Sequence, residues 1–228
     1  MSTAMEAGTA MGRERREWTG NAGTNQRVAI ITFSPAGSTR RVGAMLAAAL
    51  DDRGCEPQLV DITRNPAYFA ARDPGKALDG LVRAHDVLCI GGPVYAHHMQ
   101  SNVLDLVRRL PPVGARWGRL AVPFVTCGGL TSGRALYDTA RALRRSGRSV
   151  VLAMKVNSFH SVTPEFTTRI NEGMPGREAL PVIDELAGQI AQLRPGSRPA
   201  DVTRLLNYQD AKIRLPDGLA RLFASAPQ

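Results

Sequence analysis

Val28-Ala29-Ile30-Ile31-Thr32-Phe33-Ser34-Pro35-Ala36-Gly37-Ser38-Thr39 decides how this chain is read. An apolar run of strand length passes through a hydroxyl-rich turn into residues 40–50, where apolar side chains recur every three or four positions. Two readings of that turn stand open. One is an ordinary capped strand-to-helix turn. The other is a phosphate cradle built from Ser34, Ala36, Gly37, Ser38 and Thr39. Gly37 lets the main chain come close to a phosphoryl oxygen, the hydroxyls donate, and the unpaired N–H groups of the helix's first turn point at the same anion. The Gly-Lys-Ser/Thr ending of a nucleotide-hydrolysing P-loop is absent.

Outward from this turn, further runs of strand length fall at 58–62, 86–91, 120–126 and 149–156, joining 27–33. They lack strict alternation, as strands do when helices cover both faces of a parallel sheet. Helical spacing predicts helices over 39–53, 76–84, 101–110, 134–146 and 178–193, with Gly54 and Gly147 placed as C-terminal stops. The βα repeat predicts a doubly wound five-stranded parallel α/β sheet, with ligands held outside the carboxyl ends of its strands. Residues 1–26 read as a disordered leader with no apolar core segment, 27–195 as one domain, and 196–228 as a C-terminal extension opened by a Pro- and Gly-containing linker.

The net charge of +9 comes from arginines spread along the whole chain, with Lys76, Lys155 and Lys212 the only lysines. No basic stripe with interleaved aromatics is visible, which argues against nucleic acid and leaves an acidic partner or anionic ligand as the use of the excess. Cys55, Cys89 and Cys127 form no Cys-x-x-Cys, which fits a reducing, cytoplasmic setting and excludes a cysteine-ligated cluster. No membrane span and no metal-ligand spacing is seen.

Two more loops fall on the carboxyl edge. Gly91-Gly92-Pro93-Val94-Tyr95 has the parts to hold a flat heterocycle: a stiff main chain and an aromatic face. The alternative is a tight turn with Tyr95 covering the sheet end. Cys127-Gly128-Gly129 follows the fourth strand, and a long stretch over 157–175 follows the fifth.

Together, the 34–39 turn, Gly91, Pro93, Val94 and Tyr95, and Gly128-Gly129 resemble the flavodoxin-like superfamily. They are most similar to the flavodoxin half of proteins that pair such a domain with bacterial ferredoxin clusters. Residues 157–160 and 171–176 are similar to a His/Ser-containing loop and a turn before the last helix in that group. The resemblance implies strand order 2-1-3-4-5 and FMN held by Ser34, Ala36, Gly37, Ser38, Thr39, Gly92, Pro93, Val94, Tyr95, Cys127, Gly128 and Gly129. FMN is expected over FAD because no Gly-x-Gly-x-x-Gly with a later acidic residue is present. Two departures stand out. Relatives carry an aromatic where Cys127 stands and an Arg near Leu130, so the ring would be less enclosed here. No Cys-x-x-Cys follows the last helix.

The expected function is an FMN-dependent redox protein, with a reductase acting on a small molecule favoured over a shuttle because shuttle flavodoxins are acidic. A reductase, ferredoxin or nicotinamide would donate electrons, and a homodimer is admitted. His160 and Cys127 are the catalytic candidates, as proton donor and redox thiol. His97 and His98 read as a solvated loop pair and His85 as structural. The competing reading is a flavodoxin-fold protein without FMN, a scaffold whose arginines dock acidic partners.

Overall fold

The structure, a computed structural model, describes residues 26–128, 131–159 and 171–205. Its strands are β1 (Arg27–Thr32), β2 (Glu56–Asp61), β3 (His85–Tyr95), β4 (His98–Met99), β5 (Trp117–Cys127), β6 (Ser149–Val150) and β7 (Met154–Asn157). The helices are α1 (Ser38–Asp51), α2 (Pro66–Phe69), α3 (Pro74–Leu81), α4 (Ser101–Arg108), α5 (Ala135–Arg145) and α6 (Leu180–Ala191), with 3-10 turns at Arg177–Ala179 and Val202–Leu205. The sheet runs β2-β1-β3-β5-β6, with β7 also on β5. All pairs are parallel except β3 with β4. The order expected for five parallel strands is therefore the one observed.

The fifth strand is split. Its register advances by one residue between Leu120↔Ser149 and Phe124↔Met154, the signature of a bulge. The cause lies in β5. Ala121 accepts from the Val151 N–H on this side, so Pro123, two residues on, turns the same way and has no N–H to give.

Alternate residues of β1 enter opposite cores. Val28 and Ile30 pack with Val42, Leu46 and Leu50 of α1 and Ile183 and Ile190 of α6. Ala29 and Ile31 pack with Leu78 of α3, Val103 and Leu106 of α4, and Leu136 and Leu143 of α5. Burial on both faces explains why the strands read as unbroken apolar runs. Gly54 (φ 74) and Gly147 (φ 82) sit in the left-handed region just beyond α1 and α5. Beyond α6 the chain crosses beneath the amino edge of the sheet. There the Ala200 N–H donates to Val150 O at 2.8 Å, and Val202 joins the α5-side core.

Other elements differ from expectation as well. β3 continues past Gly91 to Tyr95, because Gly92 and Pro93 still pair with Val125 and Thr126 of β5. The short α2 was not foreseen: Asn65 caps it and Pro66 sits at its start, but four residues are too few to show a period.

Candidate functional site

The turn after β1 is built around Gly37, the N-cap of α1, at φ 84. Its N–H donates to Ser34 O at 3.0 Å, closing the turn. Ser34 Oγ accepts the Arg40 N–H at 2.9 Å, and the Ser34 N–H donates to Thr63 Oγ1 at 2.7 Å, so the end of β2 buttresses the loop. Thr63 is in turn held by Asp61. The N–H groups of Ser38 and Thr39 open α1 without a hydrogen-bond partner among the described residues, and no acidic residue lies in that turn. Two adjacent unpaired donors at the positive end of a 14-residue helix fit a phosphate monoester. The Thr39 hydroxyl is 2.8 Å from that of Thr126, and both are buried. Thr126 is a residue the sequence reading did not single out; a hydroxyl at the carboxyl end of an otherwise apolar strand was its signal.

The second loop is a hairpin. Val94 and Tyr95 pair antiparallel with Met99 and His98, leaving Ala96 (φ 46) and His97 (φ 68) as a two-residue turn with positive φ at both positions. Such turns favour Asn-Gly, so Ala and His there carry strain. The third loop clamps that turn. The Arg134 N–H donates to His97 O at 2.7 Å, and a Cβ on Gly133 would lie 2.5 Å from both His97 Cβ and O. His98 Nδ1 lies 3.1 Å from Asp138 Oδ2, and Asp138 also receives Arg134. Gly91 and Gly92 have packing reasons of their own: added Cβ atoms would meet the Phe124 ring at 2.1 Å and Val103 at 2.6 Å. Pro93, Val94 and Tyr95 are half-buried at the strand's end.

Cys127 is buried, with Sγ 3.9 Å from Asn157 Oδ1. Asn171 Nδ2 donates to Gly128 O at 2.9 Å and to Ser158 O at 3.2 Å, fastening the rim over the third loop. Gly129 and His160 lie outside the described residues. Of the residues named from the sequence, the structure thus gathers Ser34, Ala36, Gly37, Ser38, Thr39, Gly92, Pro93, Val94, Tyr95, Cys127 and Gly128 on one edge of the sheet. Gly133, Arg134, Asp138 and Asn171 tie the loops together there. They escaped site prediction because their bonds join segments far apart in sequence.

A cleft of about 610 Å³ opens beside the first turn, lined by Gly37, Arg40, Arg41, Phe159, Glu172 and Pro175 among others. A second hollow of about 620 Å³ lies at the opposite, amino edge against Gln26, His85, Asp86 and Arg119. The carboxyl edge is the functional one by fold geometry. At the amino edge, burial lowers the His85 pKa, and Asp86 is engaged by Arg27. Burial also raises the thiol pKa values of Cys55 and Cys89, which disfavours the nucleophilic thiolate at both. Among the described residues no helix is long and apolar enough to cross a membrane, and no three His, Cys, Asp or Glu side chains gather as a metal site.

No curated protein matches the chain. Among solved structures, a flavodoxin from the domain Archaea is 17% identical, covering 73% of this chain and 96% of its own, with a TM-score of 0.48. Flavodoxin 1 from Bacillus cereus is 15% identical over 74% of this chain and 99% of its own, with a TM-score of 0.48. Rubredoxin oxygen:oxidoreductase from Desulfovibrio gigas is 17% identical over 73% of this chain, at a TM-score of 0.49, and the match spans only 35% of that larger protein. The family model for NADPH-dependent FMN reductases matches residues 26–163, from the start of β1 through all three loops. On that match the chain is a flavodoxin-like flavin-binding redox protein and belongs to the NADPH-dependent FMN reductase family.

Proposed function

We propose that the chain is a cytoplasmic reductase that binds FMN and uses a nicotinamide as electron donor, passing the electrons to a small molecule. The observation that carries this reading is the pair of unpaired N–H groups, Ser38 and Thr39, at an α1 start free of acidic residues. Bound FMN would supply the redox chemistry, accepting a hydride and releasing electrons. The chain's part is to bind, orient and shield. The Ser38 and Thr39 N–H groups and the Ser34 hydroxyl, whose proton is still available after it accepts from Arg40, hold the phosphate. The Thr39–Thr126 bond fixes this cradle to β5, so phosphate and ring positions are set by one rigid sheet.

On the clamped β3–β4 hairpin, Tyr95 would lie against one face of the ring, with Gly92, Pro93 and Val94 along its edge. Gly128 would approach the opposite side, and Gly129 is carried over from the sequence reading as a further contact. Cys127, buried beside Asn157 at the strand's end, remains the proposed redox thiol and a contact of the ring. His98 is oriented by Asp138 and keeps its second ring nitrogen for proton exchange at the hairpin; His160 remains a second donor. Acid release of the flavin, followed by chromatography, tests the assignment. FMN as the main species is expected, and FAD as the main species would overturn it.

A further inference from the structure

The fold gathers onto one face arginines that lie scattered in the sequence. α4 and α5 sit side by side against the same core, and over 101–109 and 134–146 six arginines stand against two carboxylates. Both carboxylates are already engaged, Asp105 by Arg108 at 2.6 Å, and Asp138 by Arg134 at 3.2 Å and His98 at 3.1 Å. The helices of the opposite face, α1 and α6, balance their charge, with four arginines against five carboxylates over 38–53 and 177–192. Helix-end compensation does not account for the excess, because α1 and α6 carry no basic residue in their last turns.

Between α4 and α5 a hollow of about 440 Å³ gives this face a shape as well as a charge. Leu104 and Ala142, half-buried against the core, supply its apolar surface, and Arg108, Arg141 and Arg145 stand around them. Arg141 is held in place by Tyr137: its guanidinium carbon lies 5.4 Å from the ring centre, and Nη1 is 3.5 Å from the hydroxyl. Arg145 is exposed and makes no hydrogen bond or ion pair among the described residues. An apolar strip bordered by guanidinium groups is complementary to an amphipathic helix whose apolar residues are flanked by carboxylates. A nucleic-acid strand would need free aromatic faces for its bases, and the Tyr137 ring already receives Arg134 and Arg141.

We propose that the α4–α5 groove docks an acidic amphipathic helix of a partner protein, its apolar side chains on Leu104 and Ala142 and its carboxylates on Arg108, Arg141 and Arg145. Asp138 joins this surface to the carboxyl edge, since it lines the hollow and holds His98 of the β3–β4 hairpin. The docked helix therefore lies beside that hairpin. Its binding groups belong to the two helices alone, so the docking stands or falls separately from the flavin reading.

The test is fluorescence anisotropy of a labelled synthetic helical peptide, with leucines along one face and glutamates flanking them, titrated with the full chain. A peptide of the same composition, scrambled so that the leucines share no face, is the control. The patterned peptide should bind at least tenfold tighter than the scrambled one. Arg141→Gln with Arg145→Gln keeps helix propensity and should abolish that advantage at an unchanged melting temperature. Arg40→Gln with Arg41→Gln, the same charge change on the α1 face, should leave the advantage intact. Equal binding of the two peptides overturns the inference. An equal loss in both double variants does so too, because net charge alone would then explain the binding. Tighter binding of a single-stranded oligothymidine than of the patterned peptide would make the face a nucleic-acid site and likewise overturn it.

Discussion

The two ends of the sheet are built from the same strands and finished in opposite ways. At the amino edge most polar groups close on one another, while Gln26 Oε1, His85 Nε2 and Arg148 Nε are buried without a partner among the described residues. Arg27 grips Asp86 with Nη2 to Oδ1 at 2.7 Å, and Gln58 ties Leu81 O to the Arg83 N–H. Trp117 Nε1 donates to Asp79, and the buried Arg148 donates to Pro111 O at 2.7 Å. At the carboxyl edge the backbone is left partly unspent: two N–H groups open α1 unpaired, and Ala96 and His97 are held at positive φ by contacts from the third loop. Left-handed non-glycine backbone persists only where surrounding structure fixes it, and together with the open N–H groups of a long helix it distinguishes the edge proposed to take the ligand.

The largest effect should come from a backbone clash. A Cβ on Gly118 would lie 2.2 Å from the Asp86 carbonyl oxygen, which cannot yield. Gly118→Ala should cost about 3 kcal/mol or more in urea unfolding, with the folded fraction binding FMN as tightly as before. A matching loss of flavin affinity would show that the two edges are not separate.

At the other edge the order reverses. Ser34→Ala removes a phosphate donor and the cap on the Arg40 N–H, and should weaken FMN binding by about 1.5–3 kcal/mol, with a smaller loss of stability of about 1 kcal/mol. Tyr95→Ala should follow at about 1–2 kcal/mol, the scale of an aromatic contact plus its buried area, while Tyr95→Phe stays near wild type. Fluorescence titration with FMN reads both variants. An unaltered affinity in Tyr95→Ala would remove the hairpin from the ring site.

The edges also part in their response to pH. Burial holds the His85 pKa below its ordinary value, so the unfolded chain binds a proton that the folded chain refuses. Stability should therefore be complete above about pH 6.5, the ordinary histidine value, and fall as pH drops from there toward the folded-state pKa. His85→Gln should flatten that slope in denaturant midpoints; a slope unchanged by the substitution would assign it to other groups. The smallest effect belongs to the strained turn. His97→Gly relieves a left-handed non-glycine residue and should raise stability by about 0.5 kcal/mol, the relief of αL strain less the added chain entropy of glycine.

The sheet was legible in the sequence because burial on both faces writes itself as apolar runs, and α1, α4 and α5 because their periods were long enough to count. The phosphate turn was legible too, since Ser34, Gly37 and Thr39 are neighbours in sequence. What escaped depends on contacts between distant segments. Thr126 meets Thr39 from β5, Gly133 makes room for His97, and Asn171 reaches back to Gly128. The hairpin escaped as well, because Ala96-His97 carries none of the Asn-Gly chemistry that announces such a turn and is held by the third loop instead. The break in the fifth strand was hidden because its cause, Pro123, sits on a neighbouring strand.

The central claim is that the carboxyl edge holds a flavin through its phosphate. The most direct measurement is a parallel titration of flavin-free protein with FMN and riboflavin, which share the ring and differ in the phosphate. With the Ser38 and Thr39 N–H groups and the Ser34 hydroxyl on the phosphate, FMN should bind on the order of a hundredfold tighter, and Ser34→Ala should narrow that gap by weakening FMN alone. Equal affinities for the two ligands, or a gap untouched by Ser34→Ala, would contradict the account.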